Sequence, residues 1–239
     1  MNTERLDKYI ASNTNYTRSD CRKLIYTGRV SVNGKNNVKI DTKVSPDEDT
    51  VLLDNQKIEY KKFVYFLMNK PKGVLSACND KNKKTVVDLL KENDRIKDVF
   101  PIGRLDKDTT GLLLLTNDGE TAHKIISPKS KIEKSYLATL DGNITEENIE
   151  LFKSGVTLAD GSVCKPAVLE YVGENTARVI ITEGKYHQIK RMFGVIGLGV
   201  VELHRERIGN LTIPKHLANG EYCEILFSDV KNAVFVNKS

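Results

Sequence analysis

Short apolar runs of strand length recur from residue 63 toward the carboxyl terminus, and they restrict this part of the chain to folds built on a sheet. The runs are Phe63 to Met68, Leu112 to Leu115, Ser135 to Leu140, Ala167 to Val172, Ala177 to Thr182, Val200 to Leu203 and Tyr222 to Phe227. Helical segments are predicted between them, at Thr85 to Leu90, Glu120 to Ile126, Thr145 to Phe152 and His187 to Ile196. This order of elements predicts an α+β fold with a mainly antiparallel sheet.

The first residues of the chain follow a helical pattern instead. Leu6, Tyr9 and Ile10 are spaced as one face of a helix, which predicts a short amphipathic helix over Glu4 to Ser12. Thr17 is a suitable amino-terminal cap for a second helix. Two short helices are therefore expected at the start of the chain.

Short strands are predicted after Gly28, which ends the second helix. Residues 29 to 32 alternate between polar and apolar side chains before Asn33-Gly34, a dipeptide typical of hairpin turns. Residues 49 to 58 contain two more short strands around Asp54-Asn55. The amino-terminal part therefore has the predicted order helix, helix, small sheet.

Basic charge is concentrated in this amino-terminal part. The strand-like apolar runs begin after Lys61. We therefore predict a small domain at residues 1–60 and a larger domain at residues 61–239. Residues 1–45 contain nine Lys and Arg against four Asp and Glu. Together with a net charge of +5 for the chain, this suits a polyanionic partner. The alternative is a set of solvated surface charges.

Several kinds of site lack the sequence features they need. No apolar stretch is long enough to cross a bilayer, and the amino terminus is polar, so we expect a cytoplasmic protein with no membrane partner. The four cysteines and four histidines lack metal-ligand spacing, and no glycine motif for nucleotide binding occurs. We therefore expect neither a metal nor a cofactor.

The small domain contains the motifs RLDKYI and TRSDCRKLIYTGRVSVNGK, followed by a Val-Leu-Leu strand. Together they resemble the alpha-L RNA-binding module first known from ribosomal protein S-four. The resemblance implies that a two-helix face contacts structured RNA through Arg5, Lys8, Arg18, Arg22, Lys23 and Lys35. Cations on one face neutralise phosphates without reading sequence, so binding should weaken as salt rises.

A charge-dense loop runs directly into a buried strand between residues 101 and 118. Asp106 lies in this loop, where Gly103 and Gly111 permit tight backbone paths. Reactive groups are commonly carried on loops held by rigid structure, so Asp106 is a candidate catalytic carboxylate. On spacing alone, the alternative is a structural aspartate that pairs with Arg104 or caps a turn.

The sequence of this loop, GRLDKDTTGLLLLTNDG, closely resembles the central motif of the RsuA branch of pseudouridine synthases. Three further segments match that branch in order, namely NKPKG, KSYLATL and EGKYHQIKRMF. The resemblance implies that Asp106 is the catalytic carboxylate, that Tyr136 packs on the target base and that Lys190 pairs with the aspartate. Arg191 directly follows Lys190 and is the alternative cation of that pair.

The same resemblance implies further contacts with RNA. Arg104 is similar to the family residue that helps hold the displaced nucleotide, and His187, Gln188 and Arg191 are expected to contact RNA. The chemistry needs an ionised carboxylate in a pocket that excludes water, and a nearby cation favours the ionised form. An aromatic ring suits an extruded base because it offers a surface for stacking.

The implied activity is isomerisation of uridine to pseudouridine in ribosomal RNA. Overall length favours the small-subunit RNA, and a large-subunit enzyme of the same branch is the alternative. The expected partner is ribosomal RNA or an assembling ribosomal subunit, with the enzyme acting as a monomer. A non-catalytic RNA-binding or ribosome-assembly protein would leave the larger domain without a role, and an RNA methyltransferase would need a glycine-rich cofactor loop.

Overall fold

The computed structural model describes residues 3–14, 16–95 and 98–235 of the 239-residue chain. The chain divides into two compact units. The small unit comprises Met1–Val64 and Leu90–Val99, and the large unit comprises Tyr65–Leu89 and Phe100–Ser239. The small unit therefore includes a second segment, Leu90–Val99, which the sequence-based division had assigned to the larger domain.

The small unit is built from short helices and strands. Its elements are β1 (Glu4–Arg5), α1 (Leu6–Asn13), α2 (Arg18–Tyr26), β2 (Val30–Val32), β3 (Lys43–Val44), β4 (Val51–Leu53), β5 (Gln56–Lys57) and α3 (Glu92–Arg95). Strand β4 lies between β2 and β5, and β1 pairs with β3. Leu6, Ile10 and Cys21 from the two main helices are fully buried together with Val30 and Val51 from the sheet, so one apolar core joins helices and strands.

Two predictions for the small unit need correction. The first helix begins at Leu6 and not at Glu4, because Glu4 and Arg5 are extended and pair with β3. Asn33 and Gly34 form the predicted hairpin turn, with positive φ and two hydrogen bonds between Val32 and Lys35, but the pairing across the turn stops at this bridge, and the partner strand of β2 is β4. The second helix begins as predicted, since the Thr17 hydroxyl accepts from the backbone N–H of Asp20 at 3.1 Å.

Nine described strands form the sheet of the large unit. They are β6 (Tyr65–Lys70), β7 (Phe100–Pro101), β8 (Thr110–Thr116), β9 (Lys134–Leu140), β10 (Val168–Gly173), β11 (Thr176–Ile181), β12 (Val200–Ile208), β13 (Leu211–Thr212) and β14 (Tyr222–Ile225). The sheet order is β10-β11-β9-β12-β8-β6-β14, with β7 paired to β8 and β13 to β12. The described pairings are antiparallel except for β12 with β8. The predicted α+β class with a mainly antiparallel sheet is confirmed.

The large unit contains four described helices, two of which begin at a side-chain cap. They are α4 (Gly119–Ile126), α5 (Glu146–Ser154), α6 (Gln188–Val195) and α7 (Phe227–Val230), with a 3-10 turn at Val87–Leu89 and a π-helical turn at Lys231–Phe235. Asp118 caps α4 and Thr145 caps α5, each through a side-chain oxygen that accepts backbone N–H groups. Among the described residues, no helix has the length and apolar composition needed to span a membrane.

The helix predicted over Thr85 to Leu90 is reduced to the 3-10 turn. Val86 donates its backbone N–H to Leu75 at 2.9 Å, and the Asp88 carboxylate accepts from the backbone N–H of Thr85 at 2.8 Å. Thr85 also forms a parallel bridge with Leu75, and the hydrogen bonds that follow, from Asp88 to Thr85 and from Leu89 to Val86, have the i to i+3 spacing of a 3-10 turn. A neighbouring segment of the fold therefore overrides the local helical spacing.

The core of the sheet lies around β8. Leu112 to Leu115 are fully buried, which explains their continuous apolar run, since a central strand is covered on both faces. Leu112 and Leu114 pack with Ala122 and Ile125 of α4. The segment that carries Asp106 runs from β7 into β8, so the candidate carboxylate is attached directly to a central, buried strand of the large unit.

Candidate active site

The loop before β8 takes tight turns that depend on glycine. Gly103 has φ +73° and Gly111 has φ +102°, values that residues other than glycine rarely adopt. At Gly111 an added Cβ would overlap the backbone of Arg205 on the neighbouring strand. Asp106 lies between these two glycines, so its backbone path is fixed at both ends.

The Lys70 side chain binds the backbone of the same loop. Its ammonium group is fully buried and donates to the backbone oxygens of Asp106 at 3.2 Å, Lys107 at 3.1 Å and Thr109 at 2.8 Å, besides that of Pro71. Burial lowers the pKa of Lys70 to about 8, although the carboxylates of Asp108 and Asp106 favour its charged form. The loop that carries Asp106 is therefore held by a buried cation.

Asp106 lines an open cavity of about 440 Å³. Its side chain is 26% exposed, with Oδ1 3.4 Å from Nε2 of His187 and Oδ2 3.9 Å from Nζ of Lys190. The cavity is also lined by Tyr136, Arg104 and further residues, namely Leu105, Thr109, Ile181, Gly184, Lys185, Gln188, Ile189 and Leu203. Asp106, Tyr136 and Lys190, which lie far apart in sequence, thus share one cavity.

Lys190 and Arg191 point to different partners. Lys190 lies beside Asp106, whereas the Arg191 guanidinium forms an ion pair with Asp160 and donates to the backbone oxygen of Tyr186 at 3.4 Å. Successive residues of α6 lie about 100° apart around the helix axis, so only one of the two can face the loop. The structure therefore brings Lys190, not Arg191, to the aspartate.

Tyr136 is held by an arginine that sequence analysis missed. Tyr136 is 7% exposed, and Arg205 lies opposite it where β9 pairs with β12. Arg205 donates from Nη1 to the Tyr136 hydroxyl at 3.3 Å and from Nε to the backbone oxygen of Leu112 at 2.7 Å. Its Nη2 is buried without a hydrogen-bond partner among the described residues. Arg205 therefore fixes the Tyr136 ring relative to the central strand.

The other residues of the large unit that were predicted to contact RNA differ in exposure. Arg104 is exposed and lines the cavity, as does His187, which precedes α6 with a left-handed φ of +47°. Gln188 is only 4% exposed, its Nε2 donates to Glu183 at 3.0 Å, and its Oε1 accepts from Lys185 at 2.8 Å. Both polar atoms of Gln188 have partners within the protein and fix the turn before α6, while its contact with RNA stays a prediction.

Three of the predicted basic residues of the small unit surround one buried carboxylate. The Asp7 side chain is fully buried, and Nε of Arg5, Arg18 and Arg22 lies 3.0, 3.2 and 3.3 Å from its oxygens. Burial alone would raise the pKa of Asp7, but the hydrogen bonds from these arginines outweigh it and hold the pKa below its usual value. We call Asp7 and these arginines the Asp7 cluster.

The Asp7 cluster keeps an excess of positive charge at the surface. The three arginine side chains are 42%, 39% and 53% exposed, while one carboxylate balances only one of them. Lys8 pairs with Asp98 at 3.7 Å, and Lys23 pairs with Asp20 at 3.9 Å, both as exposed contacts. Lys35 is exposed in the turn after β2.

Sequence reasoning missed Lys70 and Arg205 for different reasons. Lys70 stands in the NKPKG motif at the end of a buried strand, which was a usable signal, but a lysine there reads as a surface residue. Arg205 lies in the charged stretch His204 to Arg207, which the predicted strand Val200 to Leu203 excludes, although β12 continues to Ile208. No local pattern indicates that one of these charged residues is buried.

Comparisons with known proteins identify the family of this chain. The family described as RNA pseudouridylate synthase matches residues 64–194. An RNA pseudouridine synthase of Bacillus subtilis, YtzG, is 40% identical over 92% of this chain and 94% of its own length. Ribosomal small subunit pseudouridine synthase A of Escherichia coli K12 is 39% identical over 96% of this chain and 100% of its own length.

A solved structure extends the comparison to the fold. A crystal structure of a pseudouridylate synthase matches with a TM-score of 0.68 and 36% identity, over 96% of this chain and 99% of that one. The chain belongs to the RNA pseudouridylate synthase family. It is an RNA pseudouridine synthase, an isomerase of uridine in RNA, which confirms the family and the enzyme class predicted from the sequence.

Proposed function

We propose that this enzyme converts a uridine of small-subunit ribosomal RNA into pseudouridine and that Asp106 is its catalytic carboxylate. The observation that carries the proposal is the position of Asp106 in the open cavity, 3.9 Å from Lys190 and 3.4 Å from His187. The choice of RNA is supported by the Escherichia coli relative, whose name specifies the small ribosomal subunit and whose whole length aligns with this chain.

The reaction exchanges one bond for another without a change of oxidation state. The bond from ribose C1′ to base N1 breaks, the bond from C1′ to C5 forms, a proton leaves C5, and N1 gains a proton. A carboxylate at the reacting carbons can serve as a nucleophile or as a base in such a sequence. Asp106 needs to be ionised for either role, and the Lys190 ammonium lies 3.9 Å away as its counter-charge.

Tyr136 supplies the second part of the site. Its ring offers a flat, polarisable surface for a base that has left the helical stack. The hydrogen bond from Arg205 to its hydroxyl fixes the ring before the substrate arrives, so no ordering of this side chain opposes binding. The extruded uridine would then lie between the Tyr136 ring and the Asp106 carboxylate.

We assign RNA binding outside the catalytic cavity to the exposed basic face of the small unit. The Asp7 cluster presents three guanidinium groups, one from β1 and two from α2, and Lys8 lies on the same helix as Asp7. Guanidinium groups bind phosphate in a planar, two-point geometry, and the buried Asp7 carboxylate orients them toward a backbone. We expect this face to resemble the alpha-L module in function and to position the RNA without reading its sequence.

The cellular setting follows from the substrate. We infer that the enzyme works in the cytoplasm as a monomer and that its substrate is free small-subunit RNA or an assembling small subunit. Reaction of the purified enzyme with naked RNA and with partly assembled subunits distinguishes these two forms. A product found in large-subunit RNA in place of small-subunit RNA would reject the proposed substrate while leaving the enzyme class intact.

Asp106→Asn tests the catalytic assignment. We expect this variant to lose pseudouridine formation by at least about 1,000-fold, because the amide can act neither as nucleophile nor as base. Pseudouridine is measured by chemical mapping of small-subunit RNA, and RNA binding by filter retention. Asp229→Asn is the control, since Asp229 is an exposed carboxylate of the large unit that lines neither cavity. Wild-type activity of Asp106→Asn would reject the assignment.

A further inference from the structure

A second cavity adjoins the one that holds Asp106. It has a volume of about 940 Å³ and shares six lining residues with the first, among them Asp106, Arg104 and His187. Its own walls are formed by the segment Leu75 to Ala77, by Lys107 and by Tyr186. Because of these shared residues, the second cavity continues directly from the cavity that holds Asp106.

Tyr186 is an exposed aromatic residue at this second cavity. It is 74% exposed, and its ring stacks on that of His187 with centroids 3.8 Å apart and an interplanar angle of 20°. His187 in turn contacts Asp106 at 3.4 Å and holds a left-handed backbone conformation. One face of the Tyr186 ring is therefore covered by a residue that contacts Asp106, and the side chain remains open to solvent.

A nucleobase is the partner that this arrangement fits. Single-stranded RNA is held in proteins by aromatic rings on which bases stack and by cations that meet the phosphates. The exposed side chains of Arg104 and Lys107 line the same cavity and supply such cations. Because the backbone continues on both sides of an extruded uridine, an adjacent nucleotide has to lie within one nucleotide length of the first cavity.

We propose that the Tyr186–His187 stack is a binding subsite for the base of a nucleotide directly adjacent to the target uridine. This inference rests on the proposed function of the Asp106 cavity. The second cavity receives the neighbouring base, Tyr186 stacks on it, and Arg104 and Lys107 face the phosphates between the two nucleotides. The subsite contributes affinity and alignment of the substrate, while the chemical step stays with the first cavity.

Kinetics of Tyr186 variants test the subsite. The substrate is a short RNA that contains whichever uridine the wild-type enzyme is found to modify. We expect Tyr186→Ala and Tyr186→Leu to raise KM about 5- to 100-fold, the range of base–aromatic stacking, with kcat changed less than about threefold. Tyr186→Phe keeps the ring and should stay within about twofold of wild type. Melting temperatures of all variants are compared first, and Tyr186→Leu replaces the alanine variant if that one is unstable.

Two modified RNAs make the test specific. In each, the nucleotide on one side of the target uridine is replaced by an abasic residue. On one of these RNAs, the KM of the wild-type enzyme should rise to the value that Tyr186→Ala shows on intact RNA. On that same RNA, Tyr186→Ala should raise KM no further, as expected when both changes remove the same contact. A KM for Tyr186→Ala equal to wild type on intact RNA would overturn the proposal, and so would an undiminished effect of the substitution on both abasic RNAs.

Tyr171→Ala is the control variant. Tyr171 lies on β10, is 61% exposed and lines neither cavity, so its loss should leave KM and kcat unchanged. A KM that rises equally in Tyr171→Ala and Tyr186→Ala would also overturn the subsite. Absence of any product with small-subunit RNA would instead count against the proposed substrate, and the Tyr186 test then uses the RNA that the enzyme does modify.

Discussion

The two units of this enzyme use buried charge in opposite ways. In the small unit a single anion, Asp7, is fully buried, and three partly exposed arginines surround it. In the large unit the buried charges beneath the site include cations, Lys70 and Arg205, which donate to backbone oxygens of the catalytic loop and of β8. The first arrangement presents positive charge to solvent, whereas the second uses positive charge to hold a carboxylate-bearing loop.

The difference shows why charge alone does not locate a function. Exposed guanidinium groups around a carboxylate can still bind phosphates, so the same residues serve folding and binding. A fully buried lysine cannot reach substrate. It affects catalysis and stability through the backbone oxygens to which it donates. We therefore expect substitutions in the two units to separate into effects on catalysis and effects on salt-dependent binding.

Lys70→Met should have the largest effect. The substitution leaves the backbone oxygens of Asp106, Lys107 and Thr109 without their shared donor, which should displace the loop. We expect kcat to fall by at least about 100-fold, as for other small misplacements of a reacting group, and the free energy of unfolding to fall by about 3 kcal/mol.

Single-turnover kinetics and urea unfolding measure these two effects. Lys124→Met is the control, because Lys124 is an exposed lysine paired with Glu120 on the surface of α4. Its loss should change the free energy of unfolding by less than about 0.5 kcal/mol. If Lys70→Met keeps full kcat, the ammonium group does not position the loop.

The free energy of unfolding should depend on pH differently in the two units, which is the next largest effect we expect. Burial lowers the pKa of Lys70 and of Lys134 to about 8 from the usual 10.5. The unfolded chain therefore binds more protons between pH 8 and 10.5, so the free energy of unfolding rises with pH in that window. Between pH 7.5 and 9.5 we expect a gain of about 1 to 2 kcal/mol per lysine, and Lys134→Met should remove its share.

The Asp7 cluster responds in the acid range instead. Its lowered pKa means that the stabilisation from Asp7 is present above the usual value of 3.8 and is lost as the pH falls through the folded-state pKa. Hydrogen exchange resolved by peptide reports each unit separately. A flat stability of the large unit between pH 7.5 and 9.5 would contradict the burial of the two lysine charges.

Arg22→Gln should have the smallest effect, and it should fall on binding. We expect the slope of log affinity against log salt to decrease by about 1, with affinity about 3- to 10-fold lower at moderate salt and kcat at saturating RNA unchanged. Lys57→Gln removes the same charge from β5, away from the Asp7 cluster, and serves as the control. Identical slopes for the two variants would mean that the Asp7 cluster does not contact phosphate.

Much of the fold could be read from local patterns. Thr17 caps its helix as predicted, and the helices predicted to begin at Glu120 and Thr145 begin within one residue of those positions. Such starts can be predicted because capping is an interaction within a few residues of chain. The continuous apolar run at Leu112 to Leu115 likewise indicated a strand covered on both faces. The segment Thr85 to Leu90 misled the same reasoning, since a hydrogen bond to distant Leu75 replaces its helix.

The sequence by itself determined the order of elements, the family and the identity of the aspartate on which the proposed chemistry depends, since all three are carried by contiguous motifs. Only the tertiary structure decided that Lys190 and not Arg191 faces Asp106, that Lys70 and Arg205 are buried beneath the site, and that Tyr186 borders a second cavity. The physical reason is that these facts depend on contacts between strands and helices far apart in the chain. A charged side chain has the same appearance in sequence whether water or a backbone oxygen satisfies it.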